Sequence, residues 1–222
     1  MKILIACGAS GGHIFPAISF AERFKADRPD TEILFVASKS GSGGMLLAGH
    51  KARFISVLPP VMSSPWQFLY SFFLLIRGVF DSLFILHRFS PDLVVGFGSY
   101  SCVPLILSAI LLRKKTLMHE QNVLPGKAIR LLAPFVSKIA VSFQDTAEHF
   151  WPLYREKVVL TGNPLRSELF KGNREAALEF FNLDSDKKTI LIMGGSQGSQ
   201  KINTVFIQAV SSLNGSLTFQ VI

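Results

Sequence analysis

The sequence predicts an α/β protein of doubly wound, Rossmann-like parallel sheets, and two observations carry that reading. Short apolar runs alternate with stretches of helical spacing along most of the chain, as they do where helices cover both faces of a parallel sheet. The order strand, glycine turn, helix also occurs twice, near residue 3 and again near residue 189. Candidate strands are Lys2–Cys7, Ile33–Ala37, Arg53–Ser56, Leu93–Val95, Thr116–His119, Ser137–Val141 and Val158–Leu160. Between them Phe15–Phe24, Val103–Leu112 and Lys127–Phe135 carry helical spacing.

Thr161-Gly162-Asn163-Pro164 breaks the pattern with turn chemistry. It divides residues 1–162 from a second unit, 163–222. There a helix at Arg174–Phe181 leads to a strand at Thr189–Met193, a glycine turn, a helix over Lys201–Leu213 and a last strand at Leu217–Ile222. A doubly wound domain needs more strands than this, so the second unit is expected to be incomplete. The segments between the two glycine turns do not match, which argues for two units rather than a tandem repeat.

The chain has 222 residues, 49% hydrophobic and 17% charged, which excludes a disordered protein. Cys7 and Cys102 each sit in an apolar run, which suits two buried thiols better than a disulfide framework. No ligand spacing for a metal is present, and no metal or other cofactor is expected. The apolar run Ile3–Cys7 is too short for a signal peptide, so a cytoplasmic location is expected. Of the net charge of +8, nearly all lies early: 17 lysines and arginines face 10 acidic residues through Asn163, against 6 and 5 after it. That excess fits an anionic partner such as a membrane surface, or simple solubility. Scattered basic residues, with the aromatics gathered in an apolar helix, argue against nucleic acid.

Trp66–Phe89 reads WQFLYSFFLLIRGVFDSLFILHRF. Charges interrupt it too early for a bilayer span. On a helical wheel Gln67, Ser71, Gly78, Asp81, Ser82 and Arg88 share one stripe, and the rest is mostly Phe, Leu and Ile. Such a helix is either buried among neighbours or seated in a membrane interface through Trp66, Phe72, Leu75 and Phe80, with Arg77 and Arg88 at the boundary.

The turn Gly8-Ala9-Ser10-Gly11-Gly12-His13 ends the first strand and opens a helix, with Pro16 expected in its first turn. Glycine amides at a helix start favour an anion. The spacing is not GxGxxG, and the second strand ends in Ser38-Lys39 without the acidic residue of an NAD site. His13 is a candidate general base for a sugar hydroxyl; helix capping or phosphate contact are its other readings. Gly96-Phe97-Gly98-Ser99-Tyr100-Ser101 is a second glycine loop on the same sheet edge. His119-Glu120-Gln121-Asn122 places four hydrogen-bonding side chains at another strand end, suited to a polyhydroxylated ligand. Gly194-Gly195-Ser196-Gln197-Gly198 is not a P-loop, but its amides and the Ser196 hydroxyl suit phosphate or ribose.

Together, Gly8–Ala17, His119–Asn122, Gly162-Asn163-Pro164-Leu165-Arg166 and Gly194–Gly198 resemble, in order and separation, the signature stretches of the MurG-type glycosyltransferases of family 28. The resemblance implies a two-domain GT-B fold. It implies transfer of N-acetylglucosamine from UDP-GlcNAc to the C4 hydroxyl of lipid I with inversion, at the cytoplasmic membrane face. By it His13 is the base, and Ser10, Gly11, Gly12, Asn122, Arg166, Ser196 and Asn203 serve the donor. Gly98, Ser99, Tyr100, His119, Glu120 and Gln121 belong to loops on the acceptor side. Ser99, Val103 and Ile129 depart from the family pattern, the first two where glycine is usual and the third where asparagine is. The family also continues beyond Ile222, so this chain alone is expected to be inactive. Another lipid-directed GT-B enzyme, a sugar-nucleotide epimerase and a non-catalytic membrane-bound fragment are the rival readings.

Overall fold

The computed structural model describes residues 1–8, 10–39, 43–59, 64–195, 198–212 and 219–222. Two compact units emerge, Met1–Arg166 and Ser167–Ile222. In the first, seven strands form one parallel sheet: β1 (Lys2–Ala6), β2 (Glu32–Ser38), β3 (Ala52–Ile55), β4 (Leu93–Gly96), β5 (Lys115–Glu120), β6 (Lys138–Val141) and β7 (Val158–Leu160). Their order is β3-β2-β1-β4-β5-β6-β7. Every strand read from the sequence in this unit is present, with ends shifted by a residue or two.

Its helices are α1 (Gly11–Asp27), α2 (Gly43–Leu46), α3 (Pro65–Phe89), α4 (Val103–Leu111), α5 (Lys127–Leu132) and α6 (Pro152–Arg155). Helix α5 ends short of the predicted Phe135, two residues before Pro134, which has no amide to continue it. Helix α1 starts earlier than its apolar spacing indicated, at Gly11. Pro16 therefore sits in the second turn, where it withholds the hydrogen bond that the Gly12 carbonyl would receive.

Period-two alternation sorts the strands' side chains into two apolar layers. Leu4, Ala6, Val94, Met118 and Ile139 join Leu86 of α3, Ile106 of α4 and Ile129 of α5 on one face. Ile3, Ile5, Phe35 and Val95 join Ile14, Ala17 and Ala21 of α1 on the other. Each of these buried aliphatic side chains larger than alanine contributes roughly 1.5–3 kcal/mol relative to exposure. Ile129 and Val103 are both core residues, only 1% and 3% exposed, so these two departures from the family pattern fill the core.

Helix α3 inverts the usual amphipathic plan. Pro65 opens it, and Ser90 closes it in the left-handed conformation. Its small stripe faces the protein: Ser71, Gly78 and Ser82 are buried, while Trp66 is 81%, Phe80 67% and Phe72 49% exposed. A Cβ at Gly78 would come within 3.2 Å of Pro104 and Val57, so the small stripe is what lets α3 lie close on α4. The Ser108 hydroxyl of α4 donates to the Pro104 carbonyl of its own helix at 2.7 Å and stands 3.2 Å from the Val79 carbonyl across the crossing. Leu75 departs from the expectation. It is half-buried against the core, because it lies one residue beyond the inward-facing Leu74. The helix is continuous over 25 residues and is long and apolar enough to cross a membrane by length and composition alone.

The second unit contains α7 (Arg174–Phe180), β8 (Lys188–Ile190), α8 (Gln200–Ser212) and β9 (Phe219–Val221), with β8 parallel to β9. Strand β8 ends before the predicted Met193, although Ile192 still donates to the Ile222 carbonyl at 2.9 Å.

Candidate functional site

In the first unit the chain winds outward from β1 in both directions, so β1 and β4 flank the switch point where ligands of open α/β sheets gather. Both expected glycine loops leave the sheet there. Gly8 follows β1, and Phe97-Gly98-Ser99 follows β4. The His13 ring lies between them. A Cβ on Gly8 would fall 2.6 Å from His13 Cδ2, and one on Gly98 would fall 3.2 Å from His13 Cε1 and Nδ1. These two glycines leave room for an imidazole; Gly98 also has φ +80, which side chains rarely adopt.

Ser10 is the N-cap of α1 in extended conformation, without a side-chain capping bond, and Gly12 is exposed with open space where a Cβ would stand. The His13 amide is taken up by the Ser10 carbonyl at 3.1 Å, which leaves the Gly11 and Gly12 amides for an anion. Phe15 lies beneath Gly11 and carries the Arg166 guanidinium over its ring at 4.5 Å. The Arg166 guanidinium is therefore brought to the first turn of α1.

Ser99 stands at φ 66, ψ 154, a conformation costing about 1–3 kcal/mol outside glycine. Its Cβ is 2.7 Å from the position of a Gly8 Cβ, so the serine narrows the slot where the family pattern has glycine. Tyr100 is half-buried with its ring against the core; burial raises its hydroxyl pKa above the ordinary value.

The four residues His119–Asn122, two ending β5 and two following it, divide their labour. Glu120 was expected to meet a ligand, but its carboxylate is buried and taken up by its own loop. Oε1 accepts from the Asn122 amide at 2.9 Å and side chain at 3.0 Å, and Oε2 from the Gly126 amide at 2.8 Å. His119 is likewise turned inward. It stacks on Phe97 with centroids 5.3 Å apart, and its Nε2 lies 3.0 Å from the Gly162 carbonyl. Gln121 places its Oε1 3.3 Å from His13 Nδ1. Asn122 is exposed.

In the second unit a Cβ on Gly194 would strike the Ser199 amide, so Gly194 lies close against Gly198 and Ser199, and Gly195 and Gly198 have φ +77 and +70. Ser199 accepts the Ile202 amide at 3.3 Å and caps α8. Asn203 is exposed on the first turn of that helix. Ser196 lies outside the described residues.

Both cysteines are buried free thiols. Burial pushes the Cys7 thiol up to about 12 and Cys102 well above its ordinary value, which keeps both protonated near neutral pH. Sequence reasoning placed Gly8 in the first glycine turn but not as a wall of the His13 slot, and it missed Phe15 and the Phe97 and Gly162 carbonyls. A backbone carbonyl or a stacking ring leaves no signature in residue type.

A parallel Rossmann-like sheet with two glycine turns at its switch point, followed by a second strand–glycine turn–helix–strand unit, is the plan of the GT-B fold. The glycosyltransferase family 28 N-terminal domain model matches residues 3–141, and the chain belongs to that family. Among similar proteins is the UDP-N-acetylglucosamine–N-acetylmuramyl-(pentapeptide) pyrophosphoryl-undecaprenol N-acetylglucosamine transferase of Thermodesulfovibrio yellowstonii. It is 37% identical over 215 residues, which are 96% of this chain and 58% of the relative. The enzyme of the same name from Halothermothrix orenii is 36% identical over 224 residues, covering 100% and 60%. Acinetobacter baumannii MurG has a similar structure, with TM-score 0.67 and 20% identity, covering all of this chain and 67% of that one. So does the UDP-GlcNAc 2-epimerase of Neisseria meningitidis bound to UDP-GlcNAc, with TM-score 0.60 and 16% identity over 100% and 65%. The chain spans about 60% of the length of the curated relatives it matches.

His119 gives the site a pH signature. Burial lowers its pKa below 6.5, against smaller opposing effects of the Gly162 bond and the Glu120 charge. The unfolded chain therefore takes up this proton before the folded one does. The stabilisation is complete above about pH 6.5 and is lost as pH falls through the lowered value. Thermal melting between pH 7.5 and 5.5 is expected to show a falling midpoint, with a shallower fall in His119→Gln. An equal slope in parent and variant contradicts the assignment.

Proposed function

We propose that this chain is the acceptor-binding portion, with the start of the donor-binding portion, of an enzyme that transfers N-acetylglucosamine from UDP-GlcNAc to lipid I. The observation carrying the proposal is the His13 imidazole held between two glycine loops at the switch point. The names of the 34–37% identical relatives support the choice of substrates. The epimerase neighbours share the fold at lower identity and do not argue for their own reaction.

In this reading His13 takes the proton of the acceptor's C4 hydroxyl as the oxygen attacks the anomeric carbon, and UDP leaves from the opposite side with inversion. The open amides at Ser10–Gly12 and the Arg166 guanidinium meet diphosphate charge from the first unit. The Gly194–Gly198 turn and Asn203 are assigned to the donor in the second. Asn122 presents a side chain to a sugar, while His119 and Glu120 hold the loop that carries it.

The acceptor is a lipid, and the exposed arc of α3 fits a membrane surface. Phe68, Phe72, Phe73, Phe80 and Phe84 lie outward, and Arg88 rests on the Phe84 ring at 5.8 Å with its charge free to reach headgroups. Because the opposite stripe is fixed on α4, α3 is read as lying along the cytoplasmic face of the plasma membrane rather than crossing it.

A transfer assay with UDP-GlcNAc and a lipid I analogue, run on a form extended to the relatives' length, tests the reaction. His13→Ala is expected to lower kcat by about 10²–10⁴-fold with donor affinity little changed. Turnover near the parent's removes His13 as the base. Flotation on vesicles containing phosphatidylglycerol tests the helix: a Trp66/Phe72/Phe80→Ser triple variant of unchanged circular dichroism is expected to stay unbound. Binding equal to the parent's returns α3 to a soluble role.

A further inference from the structure

Four groups form a single hydrogen-bonded line at the switch point, from the Gly162 carbonyl through His119 and Gln121 to His13. The protons along it are fixed from its far end, since a backbone carbonyl can only accept. Facing the Gly162 carbonyl at 3.0 Å, His119 Nε2 must carry a hydrogen. Burial keeps this ring neutral, so its Nδ1 has a lone pair. Gln121 Nε2 stands 3.1 Å from that Nδ1, and also 3.2 Å from the His119 carbonyl and 3.3 Å from the Phe97 carbonyl. Three acceptors around one amide nitrogen decide the orientation of the amide. Reversed, its oxygen would face two carbonyl oxygens and a lone pair. Gln121 Oε1 is thereby turned to His13 Nδ1, at 3.3 Å, and an oxygen without a hydrogen requires a donor there.

We infer that Gln121 is a positioning residue that holds His13 as the Nδ1–H tautomer and so leaves the Nε2 lone pair to receive a proton. No hydrogen bond engages His13 Nε2 among the described residues. Gly98 belongs to the same device. A Cβ there would press on His13 Nδ1 at 3.2 Å and lie 3.6 Å from Gln121 Oε1, so the glycine admits the bond between them. Gln121 thus acts through His13 rather than on a ligand. Its role is that of the carboxylate in a nucleophile–histidine–carboxylate triad, performed by a neutral amide. A neutral orienter fixes the tautomer without adding a negative charge beside the diphosphate groups of the proposed substrates.

The tautomer is a property of the chain itself, whereas its catalytic consequence rests on the proposed transfer reaction; two readouts keep them apart. Long-range proton–nitrogen NMR on the 222-residue chain with ¹⁵N-labelled histidine reads the tautomers directly near pH 7.5. The expected result is Nδ1–H at His13 and Nε2–H at His119. In Gln121→Met, which keeps the volume but removes the oxygen, His13 is expected to lose its single tautomer. In Gln121→Glu an oxygen remains opposite Nδ1 and the tautomer is kept. An Nε2–H His13 in the parent, or an unchanged His13 in Gln121→Met, overturns the inference. The second readout is the pH profile of transfer by the extended form. Gln121→Met is expected to lower kcat by about 100-fold with KM nearly unchanged. Gln121→Glu should recover part of that loss and shift the acid limb upward by on the order of one pH unit. Equal losses in both variants with no shift of the limb make Gln121 merely structural. An extended parent without transfer activity overturns the proposed reaction while the NMR result stands.

Discussion

The first unit depends on a missing volume: two strand ends, after β1 and β4, meet at Gly8 and Gly98 with no side chains between them. Parallel strands lie about 4.8 Å apart, too close for an imidazole unless the residues beside it are bare. His13 occupies that space because α1 starts at Gly11, close behind the first glycine. The order β3-β2-β1-β4-β5-β6-β7 makes β1 and β4 neighbours although more than 80 residues separate them. Sheet topology, loop composition and the position of the histidine are therefore one constraint. The strained Ser99 presses on the same space and shows how little room is left.

A second feature has the opposite economy, an excess of apolar surface. Helix α3 turns its small residues inward and five of its six phenylalanines outward, which in water alone would be unfavourable by roughly 25 cal/mol per Å² of apolar area left uncovered. The close crossing at Gly78 and Pro104 explains why the inward stripe must be small. It also ties the apolar arc rigidly to the layer that carries β4 and the second glycine loop. In the proposed function that tie holds a membrane-facing helix and a site for a lipid-borne sugar in one rigid body.

Much of this was legible in the sequence, for identifiable reasons. Strands buried on both faces are continuous apolar runs, so all seven of the first unit could be located. The glycine turns and His13 could be picked out because their residue types have few structural uses in such places, whereas Arg166 was named only through the family resemblance. What stayed hidden is the direction in which a side chain points. His119, Glu120, Gln121 and Asn122 read as four equivalent polar groups, yet Glu120 folds back on its own loop and His119 reaches Gly162. Leu75 looked equivalent to Phe72, and a single helical step turns one toward the core. The start of α1 was misplaced because apolar spacing begins two residues after the glycines that open the helix.

The claim that the bare slot positions His13 is tested most directly by filling it. Gly8→Ala in the extended form places a methyl group against Cδ2 of the ring, and kcat at saturating donor and acceptor is the quantity to measure. Displacement of the imidazole by an ångström is expected to lower kcat about 100-fold, with KM for both substrates within about threefold of the parent. A kcat equal to the parent's, in a protein whose His13 ring is shown by NMR to have moved, contradicts the account.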